Sequence, residues 1–386
     1  MNLPMGMCMA RVDITTDRSD PSLASYTGMC ASLRSLGIAA VGPLLLSCAL
    51  QAQDSSAVRI SGYAEVYYSY DLARPENGER PDFLYNHKRH NEVNLNLGLL
   101  RAEYLKDGVR AGLGLMAGTY AQYNLAAEPE LLRSVYEARI GIRLSRSRDL
   151  WVDAGIFPSH LGAESAIGSD CYTLTRSLVA ENSPYYEAGA VISYRPNGRL
   201  LLSGMVLNGW QRIQREPGNQ RPAFGTQVKY DNNEGTVLNW STFVGSIGAD
   251  SIGVWRFYNN FYAQVEGENY GMVLGMDLGF QEARVDAPGS DDVEGWLAMV
   301  GIYRARVVRQ WWLVGRIEYF LDDRAVVTSG LVALGASLGV DLRLNDRANW
   351  RLEYRFFGAP DDRFLDANGG SSQTNMAITT ALCVKF

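Results

Sequence analysis

From Val58 to the C-terminus, apolar residues alternate with polar or small ones in about sixteen segments of roughly 8–14 residues. That is the period of strands whose two faces meet different surroundings. No amphipathic helix of ordinary length interrupts the pattern. In the last segment Met376, Ile378, Thr380, Leu382, Val384 and Phe386 share one face, and Asn375, Ala377, Thr379, Ala381, Cys383 and Lys385 share the other. One segment earlier, Trp350, Leu352, Tyr354 and Phe356 oppose Arg351, Glu353 and Arg355. Trp311, Leu313, Ile317 and Tyr319 oppose Arg316 and Glu318; Tyr136, Ala138, Ile140, Ile142 and Leu144 oppose Glu137, Arg139 and Arg143. Parity slips at Arg101, which falls on the apolar phase of residues 93–99 and marks a bulge or the water interface.

Unpaired charges inside a soluble sandwich cost several kcal/mol each. A charged face that recurs in strand after strand therefore predicts water on one side of the wall and lipid on the other. The connectors point the same way. Short turns at 105–108, 145–149, 195–199, 231–235, 266–269, 306–309 and 344–347 alternate with loops at 71–90, 120–134, 158–184, 210–222, 247–253, 282–293, 322–329 and 359–372. Outer-membrane barrels sort their connectors in this way, with short periplasmic turns and longer outer loops. The expected fold is all-β: a transmembrane antiparallel up-and-down β-barrel of sixteen strands, even because both ends of the chain lie in the periplasm. Aromatic pairs at 67–68, 185–186, 311–312 and 356–357 suit interfacial girdles.

The one long apolar run, 36–50 (LGIAAVGPLLLSCAL), is short for a membrane-spanning helix and is broken by Gly42 and Pro43. With Arg34 before it and small-residue cleavage chemistry at 50–52, it reads as a signal-peptide core. The expected organisation is an upstream extension over 1–28, with translation starting at Met29, a secretory signal peptide over 29–52, and a barrel over 53–386. Residues 45–48 (LLSC) also match a loose lipobox that would make Cys48 a lipid anchor; ordinary cleavage is the preferred reading. The net charge of −6 is unchanged by cleavage, which removes three Arg and three Asp, and nothing in it calls for a nucleic-acid partner. Cleavage leaves only Cys171 and Cys383, without disulfide-framework or metal-ligand spacing, so no cofactor and no metal are expected.

Four stretches carry a family resemblance: 82–98 (DFLYNHKRHNEVNLNLG), 116–133 (MAGTYAQYNLAAEPELLR), 153–190 with FPSHLGAESAIGSDCYTLTRSLVAENSPYYEAGA, and 207–215 (LNGWQRIQR). They resemble the β-barrel porin type 2 family of Gram-negative outer-membrane proteins, densest over 58–215. The resemblance implies export to the bacterial outer membrane and a passive channel, and brings no catalytic set. The terminal 381–386 (ALCVKF) resembles the outer-membrane assembly signal, which implies that the barrel-assembly machinery reads Phe386.

Loop 158–184 is the longest and the third outer loop, the one that folds inward in general porins. It carries His160, Glu164, Asp170, Arg176 and Glu181. Opposed charges across a constriction create a transverse field that sorts solutes by charge and dipole. These five are the candidate constriction, facing a pore wall of Glu137, Arg139, Arg143, Arg316, Glu318, Arg351, Glu353 and Arg355; the alternative is a loop that caps the pore through hydrogen bonds alone. His87-Lys88-Arg89-His90 lacks a third ligand at fixed spacing and reads as a solvated outer-loop cluster rather than a metal site. Adjacent Ser159-His160 is no triad signal, and no G-x-S-x-G is present.

The leading expectation is a non-catalytic channel for small hydrophilic solutes or ions, embedded in outer-membrane lipid. The runner-up is a structural or adhesive barrel plugged by loop 158–184, and the third a barrel lipase. Residues 331–342, rich in Gly and Ala, are the candidate contact of a homotrimer. Acidic loop residues argue for cations and the arginine-rich wall for anions, so ion preference stays open.

Overall fold

The computed structural model describes residues 57–251, 253–283 and 293–386. The 1–28 extension, the 29–52 signal segment and Cys48 lie outside the described residues. Sixteen strands form one closed wall. They are β1 (Val58–Asp71), β2 (Val93–Lys106), β3 (Val109–Ala117), β4 (Val135–Arg143), β5 (Asp149–Pro158), β6 (Tyr186–Asn197), β7 (Leu200–Leu207) and β8 (Ala223–Asp231). β9 (Thr236–Ile247), β10 (Val254–Glu266), β11 (Tyr270–Glu282), β12 (Val293–Val308), β13 (Trp311–Leu321), β14 (Val332–Asn345), β15 (Ala348–Gly358) and β16 (Thr374–Lys385) complete it. Each strand pairs antiparallel with the next in sequence, and β16 pairs with β1, from Tyr63 opposite Lys385 to Asp71 opposite Ala377. Beyond that ladder, Gly62 and Phe386 exchange both backbone hydrogen bonds at 3.0 Å, so the last residue is part of the seam.

The connectors fall as the sequence predicts. Turns at 107–108, 144–148, 198–199, 232–235, 267–269, 309–310 and 346–347 lie at one rim, and the long loops at the other. Asp107 and Gly108, at φ 52° and 78°, make the β2–β3 turn with both central residues left-handed, as a two-residue hairpin on twisted strands requires. Two short helices sit in long loops: α1 (Thr119–Asn124) in the second and α2 (Leu178–Glu181) in the third.

The outward face is apolar around the wall. Leu100, Leu113, Ile192, Leu274, Leu338 and Leu382 are exposed, and Ile140 and Ile317 each reach 70% exposure. A soluble monomer does not expose a continuous surface of this kind. Exposed Tyr104, Tyr230, Tyr270, Tyr303 and Trp311 cluster toward the short-turn rim, and Phe224, Trp255, Phe257 and Phe280 toward the loop rim, as two aromatic girdles.

Two bulges account for the parity faults. The β1–β2 register shifts between Glu65 and Val66, so that Asn96 and Leu97 both turn inward and are fully buried. The shift throws Arg101 onto the lumen face, beside Glu137. The β3–β4 register shifts between Gly114 and Leu115, leaving Tyr136 without an opposite residue. Tyr136, expected on the lipid face, is instead buried inside the barrel with Tyr120 and Tyr185. An unpaired extra residue flips every side chain beyond it to the other face.

The lumen is not an open tube. Phe83 and Leu84 from the first long loop and Leu161, Tyr172, Leu178 and Val179 from the third pack against wall residues such as Phe320 and Phe357. A second cluster gathers Tyr120, Leu125, Leu174 and Tyr185 against Tyr67, Leu97 and Leu99.

Strand packing tests this wall directly. Gly155 in β5 has φ +133°, and a Cβ there would run into the Ala138 carbonyl oxygen, whereas Gly315 in β13 has no neighbour within 4 Å of the same position. Gly155→Ala should cost about 1–3 kcal/mol of backbone strain and lower the folded fraction by heat-modifiable electrophoretic migration. Gly315→Ala should leave that fraction unchanged.

Candidate functional site: the inward loop and the wall it meets

The third long loop, 159–185, leaves the wall at β5, returns at β6, and is fastened to β13 and β15, half-way round the sixteen strands. A main chain buried inside a barrel must find partners for its N–H and C=O groups. The wall supplies them as charges. Glu353 of β15 accepts from the Thr175 amide and hydroxyl, both at 2.8 Å, and Glu318 of β13 accepts from the Leu178 amide at 2.6 Å. Arg316 donates to the Thr175 carbonyl at 2.6 Å and to the Thr173 hydroxyl at 3.1 Å. Arg351 donates to the carbonyls of Gly168, Cys171 and Tyr172 at 2.8, 3.2 and 2.7 Å. The wall charges also pair among themselves, Arg316 with Glu353 at 2.8 Å and Arg355 with Glu318 at 2.7 Å. Every one of these five wall residues is at most 3% exposed.

Within the loop, Arg176 is fully buried and donates to the carbonyls of Ser165, Leu174 and Ala166, bracing the crown from inside. Glu164 accepts from the Ser177 amide at 3.2 Å and from its hydroxyl. Glu181 accepts from the Tyr85 and Asn86 amides, at 2.9 and 3.2 Å, and so ties the third loop to the first; burial raises its carboxyl pKa. Of the five candidate constriction residues, only Asp170 is exposed. Along the wall, Glu137 joins Arg101 at 2.6 Å and Arg139 at 3.6 Å, and Asp153 joins Arg139 at 3.6 Å and also Arg110. This ladder on β2–β5 lies toward the short-turn rim, with its arginines roughly a quarter exposed, while Arg143 is open to solvent at the end of β4.

The first long loop corrects one expectation. His87 and Lys88 are not solvated; they are 0% and 5% exposed. His87 Nε2 bonds the buried Glu65 carboxylate of β1, and burial lowers its pKa; its Nδ1 is buried without a partner, so a second proton would be stranded there, and the geometry suits a neutral ring that donates from Nε2. His160 is in the opposite state. Its Nδ1 lies 2.8 Å from Glu187 and its Nε2 2.9 Å from the Thr242 carbonyl. Both partners are acceptors, and only an imidazolium donates from both nitrogens. Burial opposes that charge, but Glu187 and the Thr242 carbonyl outweigh it and raise the pKa. With both nitrogens so engaged, and Ser159 Oγ accepting from the Leu161 amide, Ser159 and His160 are not hydrogen-bonded to each other. Among the described residues, no three His, Cys, Asp or Glu side chains gather as a metal site.

Sequence reasoning missed the first loop's part in this assembly. A usable signal was present: adjacent Phe83 and Leu84 in an outer loop must be buried against something. Thr173 and Thr175, whose polar atoms meet Arg316 and Glu353, carried no such signal.

Two cavities remain beside the loop. One of about 390 Å³ opens among the outer loops and is lined by Asn182 and Ser183; the other, of about 250 Å³, is lined by Pro184 and Tyr185 together with Lys229 and Tyr262. Residues 182–185 stand between them.

Residues 57–386 match the family described as "Putative beta-barrel porin-2, OmpL-like". Among solved structures, the anion-selective porin from Comamonas acidovorans superposes with a TM-score of 0.56 at 10% identity, covering 85% of this chain and 99% of that one. The outer membrane channel DcaP of Acinetobacter baumannii gives 0.55 at 9% identity, covering 85% and 97%. OmpT of Vibrio cholerae gives 0.53 at 10%, covering 87% and 99%. At such identities the likeness is one of fold. No curated protein sequence matches the chain.

The clamp generates two predictions. Glu353→Ala takes away one of the two carboxylates beside Arg316, leaving Glu318 at 3.3 Å, and removes both Thr175 bonds; losing one partner of a buried pair costs up to about 3–5 kcal/mol. Limited proteolysis of the folded variant should cut within 159–185 where the wild type resists. His160 has a folded-state pKa above the ordinary value of about 6.5, so its contribution is complete below that value and is lost as pH rises through the raised pKa. Protease sensitivity of the loop should therefore grow as pH rises above about 6.5 in the wild type, and His160→Gln should flatten that rise.

Proposed function

The chain belongs to the "Putative beta-barrel porin-2, OmpL-like" family, among the porin-like barrels of the outer membrane, and from that premise we propose that it is a passive channel for small hydrophilic solutes, narrowed by loop 159–185. The observation that carries the reading is the loop's span: it crosses from β5 and β6 to β13 and β15 and is held there by Glu318, Glu353, Arg316 and Arg351. Sixteen-stranded walls enclose an aqueous passage, and a strap across it sets the width. In this reading His160, Glu164, Arg176 and Glu181 hold the strap in place. The partly exposed Arg101, Arg110 and Arg139, interleaved with Glu103, Glu137 and Asp153, are the charges a solute meets on the periplasmic side. A solute and its water need a polar lining and the lipid an apolar one, and the alternation of the strands supplies both.

A plugged barrel is the second reading, favoured by one specific observation: the apolar clusters that weld the first and third loops to the wall. Planar-bilayer recording separates the two. The channel reading expects discrete conductance steps from the wild type and larger ones from Glu353→Ala, whose strap is loosened. Silence from both proteins would leave the plugged barrel standing and end the channel reading.

A further inference from the structure

We infer that the outer cavity is a binding site for a neutral, polyhydroxylated solute of the mono- or disaccharide class. Its volume of about 390 Å³ lies within the range of small-molecule sites, about 300–1,000 Å³.

The cavity contains Glu181, Glu216, Arg212 and Arg256, and each is already answered by the protein. Glu181 is taken by the Tyr85 and Asn86 amides, and Arg212 pairs with Glu216. Arg256 donates to Gln281 Oε1 at 2.6 Å and lies over the rings of Trp210 and Trp296, at 4.8 and 5.2 Å from their centroids. The lining leaves no free carboxylate for a cation, and its one cation without a carboxylate partner, Arg256, is taken up by Gln281, the Val326 carbonyl and the two indole rings.

Asn124 Nδ2 and Ser246 Oγ are buried and have no hydrogen-bond partner, in residues 6% and 4% exposed. Both residues line this cavity. Native structures rarely leave such groups unsatisfied, because each costs free energy when it has lost water and gained nothing. A ligand hydroxyl accepts from an amide N–H and either donates to or accepts from a serine oxygen, so one kind of group satisfies both once the lining parts over them.

Trp210 is held edge-on against Phe243 and Tyr258, both at 5.0 Å, and cannot swing away. With Tyr85 and Tyr123 it gives the cavity ring surface for the C–H faces that a sugar presents beside its hydroxyls. A ligand that combines apolar faces with many hydroxyls and no charge is a carbohydrate.

The inference rests on the channel reading for the solute's route, but binding itself does not. The test is titration of the folded barrel in detergent with maltose, followed by tryptophan fluorescence and calorimetry, with succinate as the charged comparison. Saturable maltose binding is expected, with little response to succinate. Ser246→Ala and Asn124→Ala are each expected to weaken it by about tenfold, the worth of one hydrogen bond. Absence of saturable maltose binding in the wild type, tighter binding of succinate, or undiminished affinity in both variants would overturn the inference. Bilayer current is read separately: maltose binding without conductance leaves this site and removes the channel, and conductance without maltose binding does the reverse.

Discussion

A chain that crosses lipid as strands has to satisfy every backbone N–H and C=O within the sheet, and the only sheet without an edge is a closed one. The pairing of β16 with β1 and the two bonds between Gly62 and Phe386 meet that constraint. Closure in turn sets the problem that the interior solves. Sixteen strands enclose more space than wall side chains can fill, and what fills it here is the chain's own loops. Those loops bring buried main chain with them, so the same hydrogen-bond requirement returns inside the barrel. It is met there by arginine and glutamate side chains rather than by a ladder.

The charged wall therefore has two parts with different physics. On β13 and β15 the charges are dry, and each has both an ionic partner and a loop amide, carbonyl or, for Arg355, hydroxyl, the condition under which burial of charge is tolerable. On β2–β5 the ladder around Glu137 and Asp153 keeps its arginines partly in water, where pairing contributes little to stability but leaves a field for anything passing. The first long loop belongs with the dry part: Glu65 and Glu181 each hold a residue of the 86–87 pair, so the first and third loops lock each other. Two histidines in these loops end in opposite protonation states because one meets two acceptors and the other a single carboxylate within a dry pocket.

Strand number, turn asymmetry and the two faces were legible because each is a local property of the chain. Period-two alternation in 374–386 or 348–358 reports which side meets lipid, whatever the rest of the protein does. Parity failed where a single inserted residue intervened, at Asn96 and Tyr136, since a bulge leaves no mark of its own in composition. The destination of the loops was legible only in part. The place of 158–184 as the third outer loop suggested, by analogy with general porins, that it folds inward. Nothing local to Thr175 says it will meet Glu353, a partner 178 residues away. Nor was the dryness of the Arg316 and Arg351 wall legible, because a charged face looks the same in sequence under water and under a loop. Lys88 misled for the same reason in reverse: its ammonium finds the Pro81 carbonyl and its neighbours bury it.

Releasing a clamp of ion pairs and polar hydrogen bonds costs less than its contacts suggest. The attraction among Arg316, Glu318, Glu353 and Arg355 is offset by the water these groups gave up, and most of that water returns if the strap lifts into a hydrated lumen. An apolar wall would gain nothing from such a release and would instead expose surface at about 25 cal/mol per Å². Charged residues thus hold the crown of loop 159–185 in one register while keeping the wall beneath it compatible with water. The apolar clusters act where permanence is required: Phe83 with Phe357 and Phe364 beneath the first loop, and Trp210 with Phe243 and Tyr258 beneath the fourth. The division of labour follows from the two solvents the wall must face and from a third, the protein's own backbone, which demands polar partners wherever it is brought inside.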